Sequence, residues 1–208
     1  MSRKSMVFAG SGGQGVITAS IILGEAACLY EGLHAVQTQV YGPEARGGST
    51  RADLVISTEP IRFPKVISPH VLICLTQEAY NKFGSIIRPG GLLVVDPQFV
   101  TTSKNTDARQ AAVPMYETIK REIGKPVVFN ICMLGCVSAI TDVVRPESVV
   151  KALKNHIPAN YLAMNMKAFK LGLGLGEAWL SGRPGVSAFY EKDSKIHMDD
   201  GAHYNEYP

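Results

Sequence analysis

The chain has no CxxC pair and no clustered run of cysteines; its only thiols are Cys28, Cys74, Cys132 and Cys136. An iron–sulfur module needs tight CxxCxxC spacing, and a structural zinc site needs paired CxxC or Cys/His spacings. Neither is present, so the sequence predicts no metal or cluster site of its own. Cys132 and Cys136 share a face of a predicted helix, but two ligands among apolar neighbours read as small buried hydrophobes. Long apolar runs are missing too, since none reaches the ~18 residues of a membrane span. Charge of one sign is also missing. The 21 Lys and Arg nearly balance 18 Asp and Glu, and no helix face gathers the basic residues, which excludes a nucleic-acid surface. Met1 to Lys4 runs straight into a strand-like segment, which predicts no signal peptide and a soluble, cytoplasmic protein.

Catalytic constellations are equally poor. His34, His70, His156, His197 and His203 are scattered, and none neighbours a Ser or Cys in an elbow-type turn. No catalytic residue is assigned. His197, Asp199, Asp200 and His203 fall close together near the C-terminus, where a metal site competes with a solvated tail. The tail is the better reading, because such segments are rarely preorganised.

What is present is an ordinary globular composition, 46% apolar and 19% charged over 208 residues. That is enough chain for one well-cored domain with a tail. Apolar strands are predicted over 6–9, 34–40, 52–57, 71–75 and 92–95, with helices over 16–30 and 77–87 between them. Continuous apolar strands alternating with helices indicate a largely parallel sheet covered on both faces. The expected fold is an α/β three-layer sandwich, with a Rossmann-like glycine loop after the first strand. Further on, a helix over 115–123 and a strand over 126–129 are expected, with Asn130 capping a helix to Thr141. Pro146 opens a helix over 147–155, and 161–179 is helical with an end weakened by Gly172, Gly174 and Gly176. Residues 1–181 thus form a single α/β domain and 182–208 an extended tail.

Two segments are candidates for function. Gly10, Gly12 and Gly15 fit G-x-G-x-x-G between a strand and a helix, with Gly13 and Gln14 inside the loop. This context places a pyrophosphate at a helix N-terminus. However, Gln37, Gln39 and Tyr41 stand where a dinucleotide site wants an acidic residue. A tight turn with close helix–sheet packing is therefore the competing reading. The second segment, Tyr41-Gly42-Pro43-Glu44-Ala45-Arg46-Gly47-Gly48, joins flexible glycines, a turn proline, a carboxylate and a guanidinium. Glu44 and Arg46 form either an inconsequential rim ion pair or a functional pair in which Arg46 grips a carboxylate, a phosphate or a partner chain. The helices over 16–30 and 131–141 are apolar nearly all round. Each is either central to the domain or covers a sheet face while its back meets another protein.

Three motifs in order, GSGGQGV at 10–16, TQVYGPEARGGSTRADLVIS at 38–57 and VLICLTQEAYNKF at 71–83, resemble the gamma subunits of 2-oxoacid:ferredoxin oxidoreductases. The likeness covers most of residues 5–180, and YGPEARGG is most similar to the 2-oxoglutarate branch. Pyruvate, ketoisovalerate and indolepyruvate members are the alternatives within the family, and a stand-alone nucleotide- or CoA-binding protein is the alternative outside it. The resemblance implies a subunit of an enzyme that converts a 2-oxoacid and coenzyme A to acyl-CoA and CO2 while reducing ferredoxin. It also implies that thiamine diphosphate, Mg and iron–sulfur clusters sit on alpha, beta and delta (ferredoxin-like) partner subunits, with no cofactor on this chain. The isolated chain is then inactive and open to homodimerisation. By position, Gly12, Gly13, Gln14 and Gly15 match the family's first loop, and Tyr41, Gly42, Glu44, Arg46 and Gly47 match its second. Both loops are expected at the carboxyl ends of strands, facing the neighbouring subunits or the substrate cleft.

Overall fold

A computed structural model of the chain describes residues 3–40, 49–103 and 106–182. Six strands form one sheet: β1 (Arg3–Ser11), β2 (His34–Val40), β3 (Ser49–Ser57), β4 (Val71–Cys74), β5 (Gly91–Val95) and β6 (Ala108–Ala112). Their spatial order is β2-β3-β1-β4-β5-β6. β1, β4, β5 and β6 pair in parallel, while β3 runs antiparallel to both β1 and β2. Five strands therefore point one way, and the sheet is largely parallel, as the apolar runs indicate.

Strand periodicity divides the core into two. Met6, Phe8, Leu54, Ile56, Ile73 and Val94 face one side, where they share a core with α1 (Val16–Glu31), α3 (Met115–Glu122) and α4 (Phe129–Thr141). Val7, Val55, Leu72, Cys74, Leu93 and Val95 face the other, beneath Ala79 of α2 (Gln77–Phe83) and the connecting residues Val66 and Val100. One of those connections is pinned by Arg51, whose guanidinium grips Asp53 at 2.6 and 2.9 Å and donates to the Val66 carbonyl at 2.8 Å. On the first side, α5 (Pro146–His156) and α6 (Ala159–Ser181) add an outer layer over α1 and α4. Arg145 and Glu31 join α5 to α1 through an ion pair at 2.9 Å, with Glu31 itself buried.

Four local expectations change. Residues 126–128 are a 3₁₀ turn leading into α4, not a strand; short apolar runs do not distinguish the two, and Val127 lies exposed. The cap of α4 is Val128, which leaves Asn130 inside its first turn. β6 lacks a sequence signal because Ala-Arg-Gln-Ala-Ala is neither branched nor aromatic, and only Ala111 is buried. Finally, α6 continues through its glycines to Ser181.

Those glycines also answer what covers the back of α4. A Cβ on Gly172 would strike the Cys132 carbonyl, one on Gly135 the Phe169 carbonyl, and one on Gly176 would lie 2.8 Å from the Cys136 carbonyl. The two helix backbones thus touch, and α4 is covered by its own chain rather than by another protein. The contact outweighs the ~1 kcal/mol that a helical glycine costs. Gly172→Ala is expected to force the helices apart and remove about 3 kcal/mol of stability, an overpacking penalty read as a lower urea midpoint. An unchanged midpoint would show that the contact is not tight.

Candidate functional site

The carboxyl ends of β1, β2, β4, β5 and β6 and the amino end of β3 share one edge of the sheet. β1 ends there at Ser11, opposite Ser49 of β3, with Gly10 opposite Thr50. Gly12 and Gly13 form the turn that follows, and Gly15 caps α1 in the left-handed region at φ 71°. Gln14 folds back so that its Oε1 accepts the Ser11 N–H at 2.8 Å. That oxygen lies 2.5 Å from where a Cβ on Gly10 would stand, so packing accounts for Gly10. Gly13, at φ 87°, and Gly15 are accounted for by backbone conformation. Gly12 is different. Its φ is not left-handed, and among the described residues a Cβ there would meet only Thr50 Oγ1 at 4.0 Å, an ordinary contact. Nothing within the described chain requires a glycine at the tip of this loop.

Tyr41, Gly42, Pro43, Glu44, Arg46, Gly47 and Gly48 lie outside the described residues. The strands on either side of them place the segment's two ends at this same edge, where Val40 pairs with Arg51 and Ser49 with Ser11. Ser49 Oγ donates to Glu78 Oε1 at 2.9 Å, which ties the start of β3 to the first turn of α2. Thr76 caps α2 by accepting the Ala79 N–H at 3.2 Å.

Sequence reasoning missed Asp96 and gave Asn130 the wrong task. Asp96 follows β5 and is fully buried; its carboxylate accepts the Gln98 N–H at 2.9 Å and the Tyr116 N–H at 2.7 Å. It thereby ties the end of β5 to the start of α3, beneath edge-to-face contacts among Phe99, Tyr116 and Phe129. The signal for it was a carboxylate ending the apolar run Gly-Leu-Leu-Val-Val. Asn130 points its amide at Gly15, with Nδ2 donating to the Gly15 carbonyl at 3.4 Å.

Thiol chemistry has no place in this site. Burial pushes Cys74 and Cys132 up to about 12, and Cys136 higher still, so none is a ready thiolate. Among the described residues, no group of three or more His, Cys, Asp or Glu side chains is placed to hold a metal ion. A cavity of about 80 Å³ opens at the opposite edge, lined by Lys4, His70, Arg88 and Thr141 among others. It shares no residue with either glycine motif, and motif and strand direction outweigh its concavity. No described helix is long and apolar enough to cross a membrane.

The sequence profile of the pyruvate ferredoxin/flavodoxin oxidoreductase family matches residues 5–175. The chain belongs to this family. It is 45% identical over 172 residues to the 2-oxoglutarate synthase subunit KorC of Methanocaldococcus jannaschii, covering 82% of this chain and 92% of that one. KorC of Methanothermobacter marburgensis is 42% identical over 176 residues, covering 82% and 95%. The keto/oxoacid ferredoxin oxidoreductase gamma subunit of Geobacter sulfurreducens superposes with a TM-score of 0.79 at 36% identity, covering 86% of this chain and 98% of that one. The fold also matches 2-oxoglutarate:ferredoxin oxidoreductase of Magnetococcus marinus, with a TM-score of 0.77 at 23% identity, where it spans 32% of that longer chain. The fold described above is therefore shared with these two oxidoreductase chains.

Asp96 supplies a test of this edge. Burial is the larger influence and raises its pKa above the ordinary carboxylate value, against the lowering effect of the Tyr116, Gln98 and Met115 N–H groups. With the folded value above the unfolded one, its contribution is fully present below an unfolded pKa of about 3.9 and is lost as pH rises through the raised value. The wild-type urea midpoint is expected to fall relative to that of Asp96→Asn, which cannot ionise, as pH rises from about 4 through the raised value. Parallel profiles for the two proteins would contradict this.

Proposed function

We propose that the chain is the gamma subunit of a 2-oxoglutarate synthase-type complex, which converts 2-oxoglutarate and coenzyme A to succinyl-CoA and CO2. Loss of CO2 leaves the acyl carbon at the aldehyde level and a thioester stands at the acid level, so two electrons must leave, to ferredoxin. The observation that carries the substrate is identity among relatives spanned almost end to end. The 2-oxoglutarate synthase subunits are 45% and 42% identical, whereas a pyruvate/ketoisovalerate common gamma subunit and an indolepyruvate oxidoreductase subunit, spanned to 90% and 93%, are 30% and 27% identical.

In this reading, thiamine diphosphate, Mg and the iron–sulfur clusters belong to alpha, beta and delta partners, and the complex works in the cytoplasm. The chain contributes a surface. Gly10, Gly12, Gly13, Gln14 and Gly15 form one lip of it. Tyr41, Gly42, Pro43, Glu44, Arg46, Gly47 and Gly48 are proposed as the other, turned toward the substrate cleft or the coenzyme A path. Gly12 favours this arrangement, because a glycine that no described residue requires suits close approach from outside. The domain is taken as residues 1–181, with 182–208 as an extended tail against a partner.

Affinity purification of the chain from its native cells tests this reading. The eluate is expected to contain a thiamine-binding partner and to reduce viologen only with both 2-oxoglutarate and coenzyme A. A lone chain carrying bound nucleotide would overturn the proposal in favour of a stand-alone binding protein. Activity with pyruvate, ketoisovalerate or indolepyruvate instead would move it to another branch. In the purified complex, Arg46→Ala is expected to lower turnover with assembly intact; lost assembly would make the segment a scaffold.

A further inference from the structure

The glycine loop is fixed at both ends by carboxamides, and no other described side chain packs on its tip. From inside, Gln14 Oε1 accepts the Ser11 N–H at 2.8 Å. From outside, Asn130 reaches across 115 residues of sequence to donate to the Gly15 carbonyl, which also accepts the Ala19 N–H at 3.0 Å. Asn130 fills the space a side chain on Gly15 would need, since a Cβ there would lie 2.8 Å from Asn130 Cγ and 3.1 Å from its Cβ. Between the two anchors, among the described residues, a Cβ on Gly13 would meet nothing within 4 Å, and one on Gly12 only Thr50. Asn130 stands on α4, whose backbone rests on α6 at Gly135, Gly172 and Gly176. The loop is thus referred to a rigid pair of helices rather than to its own strand alone.

We infer that Asn130 is a positioning residue of the enzyme's reaction, holding Gly15 so that the Gly12–Gly13 backbone stands at a fixed height over the cleft. This rests on the functional reading above, in which that edge meets substrate. Asn130 touches no substrate itself; it acts through Gly15. An ångström-scale displacement of a positioned group costs far more in kcat/KM than in folding.

The test uses the assembled enzyme carrying Asn130→Asp, which keeps the shape but has no donor for the Gly15 carbonyl, and Asn130→Ala, which removes the group. Both are expected to assemble and melt like wild type. In both, the apparent KM for coenzyme A or for the 2-oxoacid should rise about tenfold while kcat stays within about twofold. Wild-type KM values for both substrates in Asn130→Asp would overturn the inference, as would activity lost only in step with lost assembly in both variants. An inactive wild-type complex would overturn the functional reading, and this inference with it. An active wild type with unaltered variants would overturn this inference alone.

Discussion

Helix α4 has no polar face to offer to water. Eleven of its residues, Phe129, Ile131 through Ser138, Ile140 and Thr141, are buried. A helix of that kind must be covered on every side, and a sheet face can cover only one. The remaining cover comes from α6, and the helices approach so closely that only glycine fits at Gly135, Gly172 and Gly176. Much follows from that contact. It gives one side of the sheet a second helical layer, continues α6 through residues of poor helix propensity, and fixes the first turn of α4, from which Asn130 meets Gly15.

The fold was largely legible because β1, β4 and β5 are apolar on both faces, and such strands form only when helices cover both sides. What escaped had weak local signals. β6 exists because the edge of β5 accepts a partner, not because Ala-Arg-Gln-Ala-Ala favours extension. The 3₁₀ turn at 126–128 shows an apolar run whose middle residue faces solvent. The glycines of α6 read as weakness because propensity is local, whereas their reason, the carbonyls of Cys132 and Cys136, lies some 40 residues away.

The candidate site was legible in a different way. The glycine loop announced itself by spacing, and its place at the carboxyl ends of parallel strands follows from strand direction alone. Asp96 and Asn130 had no comparable motif. Each acts on backbone groups distant in sequence, Tyr116 in one case and Gly15 in the other, and only the tertiary arrangement pairs them. The chemistry on this edge is that of holding and presenting backbone: carboxamides and one buried carboxylate fix turns, and no described group is placed to move electrons. Membership of an oxidoreductase family is compatible with the proposal that the chain contributes a shaped surface to the complex.

The central claim is that the edge bearing the glycine loop is the face that works inside the complex. Amide hydrogen exchange of the chain alone and within the purified complex tests it directly. The expected result is slower exchange on assembly at residues 11–18 and in the turns after β4 and β5, with the opposite edge near His70 and Arg88 unchanged. Protection confined to that opposite edge, with the glycine loop exchanging as in the free chain, would contradict the account.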